Sequence, residues 1–136
     1  GQPRPRGFQD KGGHVRFYQG KGAERYESLI RDAYRKAAGQ NFKEPWAGPV
    51  GLYVTATFPI PASKPKWFRE AADRQPITVR PDLDNVLKAL LDGLNGIAWL
   101  DDRQVCTIHG YKVYGRIPAL LVTIVFDNPI TRKEKP

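Results

Sequence analysis

Leu83, Val86, Leu87, Leu90, Leu91 and Leu94 stand at relative positions 0, 3, 4, 7, 8 and 11. This is the spacing of one face of an α-helix. No other stretch of the chain constrains the fold as tightly, because a leucine stripe this regular has to be buried against something. Asn95-Gly96 supplies a stop. A second pattern supplies the surface to pack on. In Pro49–Ile60, Val50, Leu52, Val54, Ala56 and Phe58 alternate with Gly51, Tyr53, Thr55 and Thr57, which predicts a strand with one buried face. Pro59-Ile60-Pro61 ends it.

Further elements follow from the same periodicities. His14–Tyr18 predicts a short strand. Gly22–Ala38 predicts a helix through Tyr26, Leu29, Ile30, Ala33, Tyr34 and Ala37, stopped at Gly39. Residues 62–76 read as a basic connection with a helical turn around Trp67–Ala72. Ile77-Thr78-Val79 reads as a short strand, kept straight into Asp82 by Pro81. Val105–Tyr114 and Pro118–Phe126 read as a hairpin turning at Gly115-Arg116. The expected architecture is α/β (α+β): one mixed sheet of about four or five strands packed with two main helices. At 136 residues one core is expected, so residues 1–136 are read as a single domain with a basic arm at 1–13 and a basic tail at 129–136.

The charge is distributed unevenly. The chain carries +8 at neutral pH, yet residues 82–102 hold five carboxylates (Asp82, Asp84, Asp92, Asp101, Asp102) against one cation, Lys88. Short carboxylates inside a basic protein point to a hard divalent cation working on a polyanion. Residues 1–43 hold ten cations against four acids, with Phe8, Phe17, Tyr18, Tyr26 and Tyr34 among them. Arg4, Arg6, Arg16, Lys21, Lys64, Lys66 and Arg80 are the expected phosphate contacts.

Asp82 suits an N-cap and Asp84 the first turn of the leucine-striped helix. Asp101 and Asp102 follow the short return from its far end. We expect Asp82, Asp84 and Asp102 to coordinate Mg²⁺, with Mn²⁺ substituting and Asp101 accessory. Taken separately, these residues have plainer uses: a cap, ion pairs of Lys88 with Asp84 and Asp92, and a turn at Asp101-Asp102. The remaining chemistries are poorly supplied. Cys106 is expected as a buried thiol, and His14 and His109 lack ligand-spaced partners. Neither a nucleotide-cradling loop nor a nucleophile motif is present. With no long apolar run or leader-like segment, a cytoplasmic protein with no membrane role is expected.

The stretch Arg80-Pro81-Asp82-Leu83-Asp84-Asn85-Val86-Leu87-Lys88-Ala89, followed by Trp99-Leu100-Asp101-Asp102-Arg103-Gln104-Val105, resembles the RusA family of Holliday junction resolvases. Pro3-Arg4-Pro5-Arg6 and His14-Val15-Arg16-Phe17-Tyr18 resemble the family's basic arm more loosely. The resemblance implies a homodimeric, Mg²⁺-dependent endodeoxyribonuclease that cuts four-way DNA junctions symmetrically in recombination and repair, in a bacterial or phage setting. By matching position, Asp82, Asp84 and Asp102 are the essential carboxylates and Lys88 the essential lysine. Members usually open with a hydrophobic strand, whereas this sequence opens inside the arm; that strand is expected ahead of Gly1 or from another chain. Two other readings fit the residues: a non-catalytic junction-binding module, and a nucleotide or sugar-phosphate enzyme using an Asp-x-Asp metal site.

Overall fold

The structure, a computed structural model, describes residues 12–20 and 27–132. Most of the basic arm, including Arg4 and Arg6, lies outside the described residues, as do Lys21, the first part of the predicted first helix and the last four residues of the tail.

Among the described residues four strands form one sheet in the order β1-β4-β2-β3: β1 (Gly13–Gln19), β2 (Val50–Pro59), β3 (Val105–Gly115) and β4 (Ala119–Phe126). β4 runs antiparallel to both β1 and β2, and β3 runs parallel to β2. Among the described residues three helices accompany the sheet: α1 (Glu27–Ala38), α2 (Lys66–Ala71) and α3 (Leu83–Leu94). The parallel β2–β3 pair requires a long crossover, and the segment carrying α2 and α3 provides it.

The expected mixed α+β sheet is present with four strands. The expected β3–β4 hairpin is not. β4 passes over the end of β2 and pairs on its far side, with Leu52 opposite Ile124 and Val54 opposite Val122. Two strand spacings are about 10 Å, within reach of the short link from Gly115 to Ala119. Nor is Ile77–Val79 a strand. A single bridge joins Pro76 to Val113, and the Ile77 amide donates to the Lys112 carbonyl at 3.1 Å. The chain then bends at 79–81, with a cis Arg80–Pro81 peptide, where a straight run was expected.

One core lies between the sheet and the helices α1 and α3. Val50, Leu52, Val54 and Ala56 of β2 and Leu120, Val122, Ile124 and Phe126 of β4 meet Ile30 and Tyr34 of α1 and Val86, Leu90 and Leu94 of α3. The two helices approach each other at Gly93, where an added Cβ would lie 3.3 Å from the Glu27 carbonyl oxygen. The predicted helix stop is present, since Gly96 takes φ +77°, a conformation side chains disfavour. Burial pushes the Tyr34 phenol well above its ordinary pKa, and its hydroxyl donates to the Phe42 carbonyl. Cys106 is exposed rather than buried, because β3 is the sheet's edge strand.

Candidate active site

Asp82 occupies the N-cap position of α3, with extended backbone (φ −70°, ψ 142°), but its side chain makes no capping hydrogen bond. The cap expected there is therefore absent. Instead Asp84 Oδ1 accepts from the Asn85 amide at 3.0 Å. Both carboxylates lie at the surface, and neither joins an ion pair among the described residues. Among the described residues the expected pairs of Lys88 with Asp84 and Asp92 do not form either, and no other ion pair engages the Lys88 ammonium, one turn beyond Asp84. An open depression of ≈ 430 Å³ is lined by Arg80, Pro81, Asp82 and Asn85. It sets one guanidinium beside the first carboxylate of the motif.

Nonlocal contacts hold this segment in place. Lys112 Nζ donates to the Val79 carbonyl and, at 2.8 Å, to the Pro81 carbonyl. The entrance to α3 is thus pinned to the C-terminal part of β3. Sequence reasoning missed Lys112, since a lysine in a strand gives no local sign of which distant carbonyl it will meet.

Trp99-x-Asp-Asp-x-Gln-Val builds a different corner. The fully buried Trp99 needs a partner for its indole N–H; Nε1 donates to Asp102 Oδ1 at 2.8 Å. Asp101 caps the following 3-10 turn, accepting from the Arg103 amide at 3.4 Å, while its own amide donates to Gln104 Oε1 at 2.8 Å. Gln104 Nε2 bridges the Trp46 and Gly48 carbonyls at 2.8 and 2.9 Å. Asp101 and Gln104 therefore shape the backbone, and Asp102 is a carboxylate aimed by a buried tryptophan.

These two corners lie at opposite ends of β3. Asp102 precedes its first residue, whereas the α3 entrance hangs from Lys112. Seven residue steps along the strand lead from Val105 to Lys112, about 23 Å. Among the described residues no group of three or more His, Cys, Asp or Glu side chains could hold a metal ion. The expected gathering of Asp82, Asp84 and Asp102 around one cation is therefore not made within a single chain; Asp101 stays with Asp102. The reason is the parallel β2–β3 pairing. It starts β3 beside the C-terminal end of α3, so the strand has to run back the helix's full length to reach Asp82.

The expected phosphate contacts divide likewise. Arg80 is in the depression with Asp82. Lys64 and Lys66 are exposed around α2. Arg16 is exposed on β1, the far edge of the sheet, opposite Thr123 of β4. His14 and His109 are both exposed, and His109 stacks on Tyr53 with ring centroids 4.7 Å apart.

A family model described as endodeoxyribonuclease RusA matches residues 1–125. An uncharacterized protein of Bacillus subtilis (strain 168), YqaN, is 35% identical over 81 residues. The match takes in 57% of this chain and 57% of that protein, so the chain spans little more than half the length of this relative. A GTPγS-form protofilament structure of TubZ from Bacillus thuringiensis serovar israelensis superposes with a TM-score of 0.46 at 9% identity, covering 88% of this chain and 25% of that one.

Proposed function

The chain belongs to the RusA endodeoxyribonuclease family, and from that premise we propose that it is a metal-dependent endonuclease resolving four-way DNA junctions by paired cuts, in recombination and repair. What supports this reading at the level of residues is the state of Asp82 and Asp84. Two surface carboxylates at the mouth of a helix carry neither a cap hydrogen bond from Asp82 nor, among the described residues, an ion pair, inside a chain of charge +8. Asp82 shares one open depression with Arg80, where a carboxylate-bound cation and a phosphate could meet, which favours the nuclease over the non-catalytic junction-binding module.

The donor set is chemically suited to Mg²⁺ or Mn²⁺, which take carboxylate oxygens, but one chain presents it in two halves. The complete set is Asp82 and Asp84 of one copy with Asp102 of a second, in a homodimer. β3 offers the means. It is an edge strand, its residues 105–111 carry no Lys, Arg, Asp, Glu or Pro, and Ile108 and Tyr111 are exposed on it. Edges without charges or prolines tend to pair with another strand. Two copies lying antiparallel along this edge would set the start of one β3 beside the end of the other, bringing Asp102 of each toward the α3 entrance of its mate. A two-fold dimer also suits a substrate with two equivalent strands to cut.

A bound divalent ion would lower the pKa of a water and offset charge at phosphorus. The protein's own groups do the rest. Trp99 fixes Asp102 by one oxygen and leaves the other free to face a ligand. Lys112 holds the Asp82 segment in place. Arg80 stands where a phosphate approaching Asp82 would meet a cation. Lys88, on the same helix, supplies a second positive charge for the pentavalent phosphorus and the leaving oxygen.

The test is cleavage of a labelled four-way junction, against a matching linear duplex, with Mg²⁺ and with EDTA. The wild-type chain should cut only the junction and only with metal. Asp82→Asn should abolish cutting while keeping or improving junction affinity, because a negative charge facing phosphates is removed. An Asp82→Asn protein that cuts at the wild-type rate would refute the assignment.

A further inference from the structure

α2 buries none of its residues. It is nonetheless firmly built. Phe68 packs edge-on against Tyr114 of β3 with ring centroids 5.8 Å apart, and Lys64 Nζ lies 5.2 Å from the Phe68 ring centroid. Arg69 Nε donates to the Lys64 carbonyl at 3.1 Å. Behind the helix, Ala72 and Ile77 are buried, and the Arg74 amide and Gln75 carbonyl both bond to the backbone of Tyr114, at 2.9 and 3.0 Å. The one large side chain this scaffold does not use is Trp67, which is 70% exposed.

Most of the indole stays open to solvent on an anchored helix, where a partner can reach it. Trp67 meets the Phe68 ring in a T-shaped contact at 5.9 Å. The charge around it selects the partner. Lys64, Lys66 and Arg69 flank it, and the adjoining groove adds Arg116. Two acids line the same groove, Glu70, which is 3.7 Å from Lys66 in an exposed i,i+4 pair, and Asp73. A flat aromatic face among cations suits an unpaired nucleobase on a phosphate backbone.

The position of α2 points the same way. Tyr114, which anchors it, is two residues along β3 from Lys112, which anchors the entrance of α3, a strand distance of about 7 Å. We infer that Trp67 is a stacking wedge that recognises the opened bases at a DNA branch point and so sets the preference for junctions over continuous duplex, a role that rests on the chain being a junction nuclease. Side chains used as wedges between base steps are a known device for holding distorted DNA.

Tryptophan fluorescence reads this directly. The chain has three tryptophans, and Trp46 and Trp99 are buried, so Trp67 supplies the solvent-facing emission. Titrating the wild-type chain with a four-way junction in Ca²⁺ should quench that emission, and linear duplex at equal occupancy should not. Trp67→Ala should lose the quenching and bind the junction about ten-fold more weakly, with duplex affinity unchanged. Trp67→Phe should restore most of the junction affinity. Equal junction affinity in wild type and Trp67→Ala would overturn the inference while leaving the nuclease reading intact. So would a change in sedimentation in Trp67→Ala, which would assign the indole to contact between copies. A wild-type chain that neither binds nor cuts junctions would sink both.

Discussion

Asp102 shows how a structural residue can also be placed for chemistry. Its Oδ1 closes the hydrogen bond of a buried indole, a donor that would be costly to leave unpaired. The same bond orients the carboxylate. Its neighbour Asp101 commits its side chain to the 3-10 turn and has no such freedom, which is why two adjacent aspartates are not equivalent. The sequence made both visible as a pair but could not rank them, because the ranking depends on where Trp99 points. Lys88 is the converse case. It was legible as a helix-surface ion pair with Asp84 or Asp92, and neither pair forms. Lys88→Ala should therefore leave the fold undisturbed and junction affinity close to wild type. It should lower the single-turnover cleavage rate by about 100-fold, the cost typical of losing one transition-state charge donor. An unchanged rate in a quenched-flow or gel assay would remove Lys88 from the mechanism.

At the scale of elements, the main helices and the four sheet strands were legible and their partners were not, and Ile77–Val79 reads as a strand in sequence but is none in the fold. The leucine stripe of α3 and the alternation of β2 each announce a buried face, and those faces are buried. Leu90 is fully buried on α3, so Leu90→Ala should cost about 2–5 kcal/mol in chemical denaturation of the full chain; a loss below that range would mean the stripe is not packed as described. The hairpin expected for β3 and β4 failed for a physical reason. A short link fixes how far β4 can go, not which side of β2 it takes. The composition held a clue, since β4 is apolar at seven of its eight positions, as suits a strand flanked on both sides, while β3 begins Val105-Cys106-Thr107-Ile108-His109 and lies at the edge. The exposure of Cys106 follows from the same choice of edge.

At the scale of the whole molecule, one decision of topology governs the candidate site. Placing β3 parallel to β2 puts Asp102 at one end of the edge strand and Asp82 at the other. The sequence brought these carboxylates within about twenty positions of one another, and the fold then separates them by the length of a helix. That distance could not be read from spacing, because it depends on the direction in which the returning strand pairs. A second copy along β3 would bridge the separation, so neither half-site should act alone. Mixing tests this most directly. Asp82→Asn and Asp102→Asn chains are each prepared alone, then combined under conditions where exchange of subunits is verified, and given a four-way junction with Mg²⁺. Each variant alone should be inactive, and the mixture should nick, because a mixed pair holds one intact set of carboxylates. A mixture in which subunits have exchanged but which stays inactive, beside a wild-type chain that cuts, would contradict the shared site.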